Sequence, residues 1–139
     1  MPEVKPVQVR APEGTLLNGT FVLWDESPDD PVTVRLELSF NGATVSADSE
    51  EGYFDALCQI RQVIEPDGYR LLCLGASRGV YPSRMSRGMG TGDLAYKLEK
   101  GRAAASKDLV SIFSSNESLV SVTIGEQQAY FDEWLESLR

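Results

Sequence analysis

Between Val32 and Asp48 the chain specifies its own strand register. Val32, Val34, Leu36, Leu38 and Phe40 alternate with Thr33, Arg35, Glu37 and Ser39, a period of two that makes a strand with one dry and one wet face. Asn41-Gly42 comes next, the pair favoured by a two-residue type I′ turn, in which both central positions have positive φ. A return strand over Ala43–Asp48 then sets Ala43 opposite Phe40, Val45 opposite Leu38 and Ala47 opposite Leu36. All six side chains fall on the dry face, so turn and pattern agree on one hairpin.

The flanking segments supply strands and two helices. Thr20–Asp25 reads as a short strand by its β-branched and aromatic content, and Glu26–Pro31 as a turn. Asp48-Ser-Glu-Glu51 has the pattern of a capping box. Phe54, Leu57, Ile60, Arg61 and Ile64 follow at helical spacing, and Pro66 stops that helix by Glu65. The run Tyr69–Gly75 is nearly continuously apolar from Leu71, which suits a central strand covered on both faces. Asp93–Glu99 alternates and reads as strand. Asp108–Phe113 is short and apolar; it reads as strand, although Leu109, Ile112 and Phe113 also fit one helical turn. Leu119–Val122 reads as a last strand, and Thr123-Ile-Gly-Glu126 as a second capping box. The helix it opens carries Ala129, Tyr130, Phe131, Trp134 and Leu135 on one side. Residues 1–18, with Pro2, Pro6 and Pro12, read as an extended N-terminal arm. The expected architecture is a single α+β domain over 19–139: an antiparallel or mixed sheet of five to six strands with two main helices packed on it.

Composition narrows the chemistry. There is no histidine, the commonest general base near neutral pH. Cys58 and Cys73 read as reduced thiols among apolar neighbours, and two cysteines without histidine argue against zinc. No apolar run approaches the ~18 residues of a membrane span, and the polar start Met-Pro-Glu-Val-Lys-Pro lacks the apolar core of a signal peptide. The expectation is a cytoplasmic protein with no cofactor and no metal.

Charge is segregated along the chain. The overall balance is −8, yet residues 68–107 carry eight Lys/Arg against Asp93 and Glu99, a net of +6, leaving −14 to the remainder. Such asymmetry steers charged partners. Arg78, Arg84 and Arg87 lie within the glycine-punctuated stretch Gly75–Gly92, with Tyr81, Gly90 and Gly92 beside them. Guanidinium forks and glycine-exposed amides suit an anion, but no Gly-Lys-Ser/Thr follows, so the stretch is not a P-loop. It could equally be a loop crossing the edge of the core. Ser77, Ser83 and Ser86 lack an adjacent base, and no catalytic residue is expected. Asp25, Asp29, Asp30, Glu50, Glu51 and Asp55 could form an acid pair or hold a divalent cation, but they sit in turns and at helix starts, where carboxylates stabilise amides in any case. A pI of about 4.5 disfavours a nucleic-acid partner.

From Asp55 onward the chain resembles a family of small bacterial proteins similar to immunity partners of contact-dependent inhibition and Rhs-type toxins. The cues are Phe54-Asp-Ala-Leu-Cys-x-Ile-Arg61, Gly75-Ala76, Val80-Tyr-Pro-Ser-x-Met-Ser-Arg87, Met89-Gly-x-Gly92, Ala95-Tyr96, Asp108-Leu-Val-x-Ile-Phe113 and the closing tryptophan-bearing helix. The resemblance implies a non-catalytic, cytosolic protein that binds and neutralises a cognate secreted toxin domain. Its binding face would then hold Glu26, Asp29, Asp30, Glu50, Glu51 and Asp55, steering a basic partner. An anion- or nucleotide-binding protein or enzyme using Arg78, Tyr81, Arg84, Arg87, Gly90 and Gly92 is the alternative. An exposed edge beside the hairpin could pair with another chain, a second copy included.

Overall fold

The computed structural model describes residues 2–83 and 91–139. Among these residues it is an α+β fold with two antiparallel sheets and two main helices. The strands are β1 (Glu3–Arg10), β2 (Leu16–Trp24), β3 (Val34–Phe40), β4 (Ala43–Ser49), β5 (Arg70–Leu71), β6 (Val80–Tyr81), β7 (Leu94–Lys97) and β8 (Leu109–Ser111). The helices are α1 (Tyr53–Ile64) and α2 (Ile124–Ser137). The larger sheet has the order β4-β3-β2-β1-β5 and the smaller β6-β7-β8.

The hairpin forms in the register its sequence dictates. Phe40 pairs with Ala43, Leu38 with Val45 and Leu36 with Ala47, and the turn has φ of 53° at Asn41 and 78° at Gly42. Leu36 and Leu38 are fully buried, with Phe40 and Ala47 nearly so. α1 packs along β3 and β4 and adds Phe54, Leu57, Ile60 and Ile64 to the same core. Phe113 joins from beyond β8. Its ring meets the edge of Phe21 at 5.1 Å and of Tyr53 at 5.7 Å, an arrangement that the aromatic quadrupole favours.

Three expectations change. Residues 1–18 are extended, but they belong to the sheet: β1 pairs over eight residues with β2 and then with β5. Val7, Val9 and Ala11 are buried, while Pro6, Gln8 and Arg10 alternate with them in solvent. The run Tyr69–Gly75 is not a central strand. Only Arg70–Leu71 pairs, at the sheet edge, before a 3-10 turn over Leu74–Ala76; the apolar side chains are buried beneath neighbouring elements instead. Leu119–Val122 forms no strand, only a bridge from Ser121 to Ser77. The short strands β7 and β8 do form, antiparallel to one another.

The two helix starts differ. Thr123 and Glu126 make the expected reciprocal cap: the Glu126 amide donates to Thr123 Oγ1 at 3.2 Å and the Thr123 amide to Glu126 Oε1 at 3.0 Å. Asp48–Glu51 makes none. The β3–β4 ladder continues to Ser49 opposite Val34, Asp48 is drawn across the sheet to Arg35, and α1 begins only at Tyr53, after Gly52 with φ 100°. Its first amides donate to main-chain carbonyls from the far side of the long loop, Tyr53 to Thr91 (2.9 Å) and Phe54 to Gly92 (3.2 Å).

A buried polar network joins α2 to the rest. Arg61 lies in the apolar stripe of α1 and is fully buried. Its Nε donates to Glu65 (2.6 Å), Nη1 to Gln127 Oε1 (2.5 Å) and the Gly75 carbonyl (3.3 Å), and Nη2 to the Val122 carbonyl (2.8 Å). Glu65 Oε1 accepts from the Ile124 amide, and Gln127 Nε2 donates to the carbonyls of Gly75 and Val80. The most buried side chains of α2 are therefore Gln127 and Trp134, while Leu135 is 45 % exposed.

Gly75 is held by close approach. A Cβ there would lie 2.7 Å from Leu57 Cδ2 and 2.8 Å from Ile112 Cβ. Gly75→Ala is expected to destabilise the fold by ~1–3 kcal/mol, as overpacking of a filled core does, read as a lowered denaturation midpoint. Cys73 is buried beside it and its thiol is pushed up to about 11, mainly by burial; neither cysteine is in a disulfide, and Cys58 is half-buried.

Candidate partner-binding surface

One end of the large sheet gathers the carboxylates. β1 begins there with Glu3, opposite Leu23 of β2. β2 runs out there into Asp25 and Glu26, the loop over 27–33 crosses to β3, and β4 ends there at Ser49 before Glu50 and Glu51. Antiparallel connectivity thus brings four separate segments of chain to one rim. Asp25, Glu26, Glu50 and Glu51 are exposed.

Two clefts share Asp25. One, of about 210 Å³, is lined by Asp25, Val32, Thr33, Val34, Ser49, Glu50, Glu51, Gly52 and Thr91. The other, of about 370 Å³, is lined by Glu3, Leu23, Trp24, Asp25 and Glu26. No Lys or Arg among the described residues lines either. Tyr53 supports this rim from within: it is 1 % exposed and donates its hydroxyl to Asp25 Oδ1 at 2.8 Å. Burial raises its pKa well above the ordinary value, and the hydrogen bond to Asp25 and the charges of Asp25, Asp93 and Glu3 raise it further.

The loop behind the rim is tied down. Arg35 donates to Asp48 (2.8 Å through Nε) and also pairs with Asp29. Ser27 donates to Asp48 at 2.9 Å. Asp30 Oδ1 accepts from the Val32 amide and the Asp30 carbonyl from the Thr33 amide. The Arg35 contacts first, and Ser27 after them, hold the Asp48 carboxyl below the usual range. A carboxyl depressed on folding contributes stability that is full above its unfolded pKa, ~3.9, and is lost as pH falls through the lower folded value. Melting temperature is expected to fall below about pH 4, and Arg35→Gln is expected to flatten that fall. An unchanged acid limb would contradict the assignment.

The acidic residues expected from the sequence thus divide. Glu26, Glu50 and Glu51 line the clefts. Asp29 and Asp30 are exposed on the adjoining loop but serve Arg35 and the turn. Asp55 is half-buried in the first turn of α1, where it accepts from Ser49 Oγ (2.7 Å) and Gln59 (2.9 Å), so it acts inside the molecule. The acidic face expected from the sequence left out Glu3 and Asp25, which the structure sets on this rim. The missing signal was the pairing of β1 with β2, which carries Glu3 to the rim.

The basic stretch is only partly described. Arg84, Arg87 and Gly90 lie outside the described residues. Arg78 is exposed and lines a hollow with Lys100, Tyr130, Glu99, Glu126 and Glu133, where three carboxylates oppose an anion. Lys100 donates to Glu133 at 2.5 Å across that hollow. Tyr81 packs against α2: its ring stacks on Phe131 at 4.3 Å and its hydroxyl donates to Gln128 at 2.6 Å. Gly92, with φ 74°, contributes its carbonyl to the start of α1. Each of these described contacts holds elements together. No helix among the described residues is long and apolar enough to cross a membrane. No protein-family model matches the chain, and no curated protein matches it in sequence.

Proposed function

We propose that this chain is a non-catalytic protein-binding module of the immunity type, acting in the cytoplasm, which neutralises a toxin domain by laying its acidic rim against a basic surface. The observation that carries the reading is the convergence of Glu3, Asp25, Glu26, Glu50 and Glu51 around two clefts that no cation among the described residues lines. Toxin domains that act on nucleic acid need basic grooves, and an acidic face complements such a groove, speeds encounter and rejects acidic partners. The rigid support under the rim, from Tyr53 and the Arg35–Asp48 pair, suits a surface that docks without rearranging. The reading expects a toxin gene beside this one, and titration of the purified protein into that toxin domain tests it. Stoichiometric binding with loss of toxin activity is expected; absence of binding would refute it.

A further inference from the structure

The large sheet ends on two unlike edges. On the β1 side, β5 covers only Val9 and Arg10, and Leu72 donates to the Gln8 carbonyl. Beyond that point the edge carries Glu3, Lys5 and Pro6. Charge and a missing N–H are the usual devices that keep a bare edge from pairing with another chain. On the other side lies β4, Ala43-Thr-Val-Ser-Ala-Asp-Ser49, paired among the described residues only with β3. It has no lysine, no proline and no bulge in its register.

The hairpin fixes which main-chain groups of β4 point outward. A two-residue loop makes Phe40 and Ala43 a hydrogen-bonded pair, so Ala43, Val45, Ala47 and Ser49 turn their amides and carbonyls to β3. Thr44, Ser46 and Asp48 turn theirs away. The Asp48 carbonyl is indeed met from outside, by Gln59 of α1 at 3.4 Å. Thr44 and Ser46 are exposed, and no hydrogen bond recorded among the described residues takes up their outward amides and carbonyls.

We propose that β4 is a homodimerisation edge, pairing antiparallel with β4 of a second copy to make one continuous sheet across a two-fold axis. The strand is self-complementary. With the axis at Val45, Thr44 of each copy faces Ser46 of the other, and the Asp48 carbonyl keeps its contact with Gln59. No two carboxylates stand opposite, although each chain is acidic overall. An isologous contact of this kind closes on itself and stops at two. The acidic rim lies at the far end of β4, beyond Ser49, so the edge and the rim present separate surfaces.

The test is the mass of the full chain by light scattering, from micromolar to hundreds of micromolar protein. The native protein is expected to pass from 15.3 kDa to twice that mass. Ser46→Lys, whose site is exposed and whose outward amide serves no internal bond, is expected to raise the dimer dissociation constant at least tenfold. Thr44→Lys is the second variant should the first unfold, as judged by circular dichroism. Amide exchange at Thr44 and Ser46 should slow as the native dimer forms. A native chain that stays monomeric over this range would overturn the proposal. So would a folded lysine variant that dimerises like the native protein.

Discussion

Arg61→Met is expected to cost the fold about 3–5 kcal/mol, the usual penalty for removing one partner of a buried ion pair. Methionine matches the length of the stem and fits an apolar stripe, so lost packing is a small part of the effect. The larger part is polar. Arg61 is fully buried, and its removal strips a donor from Glu65, from Gln127 Oε1 and from the carbonyls of Gly75 and Val122. Glu65, itself 9 % exposed, would be left charged, its one other partner among the described residues being the Ile124 amide. A penalty of that size is a large share of the 5–15 kcal/mol that holds a typical domain together. Denaturant unfolding of the variant should show a sharply lowered midpoint. Adding Glu65→Gln should recover part of the loss, because the stranded charge goes while its contact with Ile124 can persist, and residues in one network couple by 0.5–3 kcal/mol. A midpoint within experimental scatter of the native one would mean that the network does not hold α2 in place.

Replacing Glu26, Glu50 and Glu51 together by lysine is expected to slow association with a basic partner by about 10- to 1,000-fold, the range over which electrostatic steering acts. The fold should be spared. All three are exposed, and among the described residues only Glu51 of the three contributes to an internal bond, through its amide to Ser49 Oγ rather than its carboxylate. Asp29, Asp48 and Asp55 make poor choices for this experiment, because their carboxylates are bound to Arg35, Ser27, Ser49 and Gln59. Reversing them would mix a stability loss with a loss of steering. The change should fall on the association rate more than on dissociation, as it does for charges on the margin of an interface.

What could be read in advance was local. The hairpin was legible because Asn41-Gly42 and the alternation on both sides of it demand the same register, and burial confirms it. The Thr123–Glu126 cap was legible because its reciprocal bonds lie within four residues. Asp48–Glu51 has the same letters, but the β-ladder and Arg35 claim Asp48 first; a tertiary contact outranks a local motif. β1 was hidden behind its prolines, although Val7, Val9 and Ala11 alternate cleanly with Pro6, Gln8 and Arg10. Without β1 in the sheet, Glu3 could not be placed beside Asp25. The run from Leu71 to Gly75 was equally misleading, since an apolar run reports burial and not backbone pairing. Arg61 did leave a trace: a cation in an apolar helical stripe, with Glu65 one turn on. Its partners Gln127 and Val122 lie some sixty residues away, and no spacing rule reaches that far.

The most direct measurement is the association rate of the native chain with the basic toxin domain that the proposed function expects as its partner, followed by stopped flow as salt is raised. The rate should fall steeply with ionic strength, because exposed charges are screened beyond a Debye length of ~10 Å at 0.1 M salt. The lysine variant at Glu26, Glu50 and Glu51 should be slow at low salt and nearly insensitive to it. Native and variant rates that coincide across the whole salt range would contradict the assignment of the acidic rim as the binding surface.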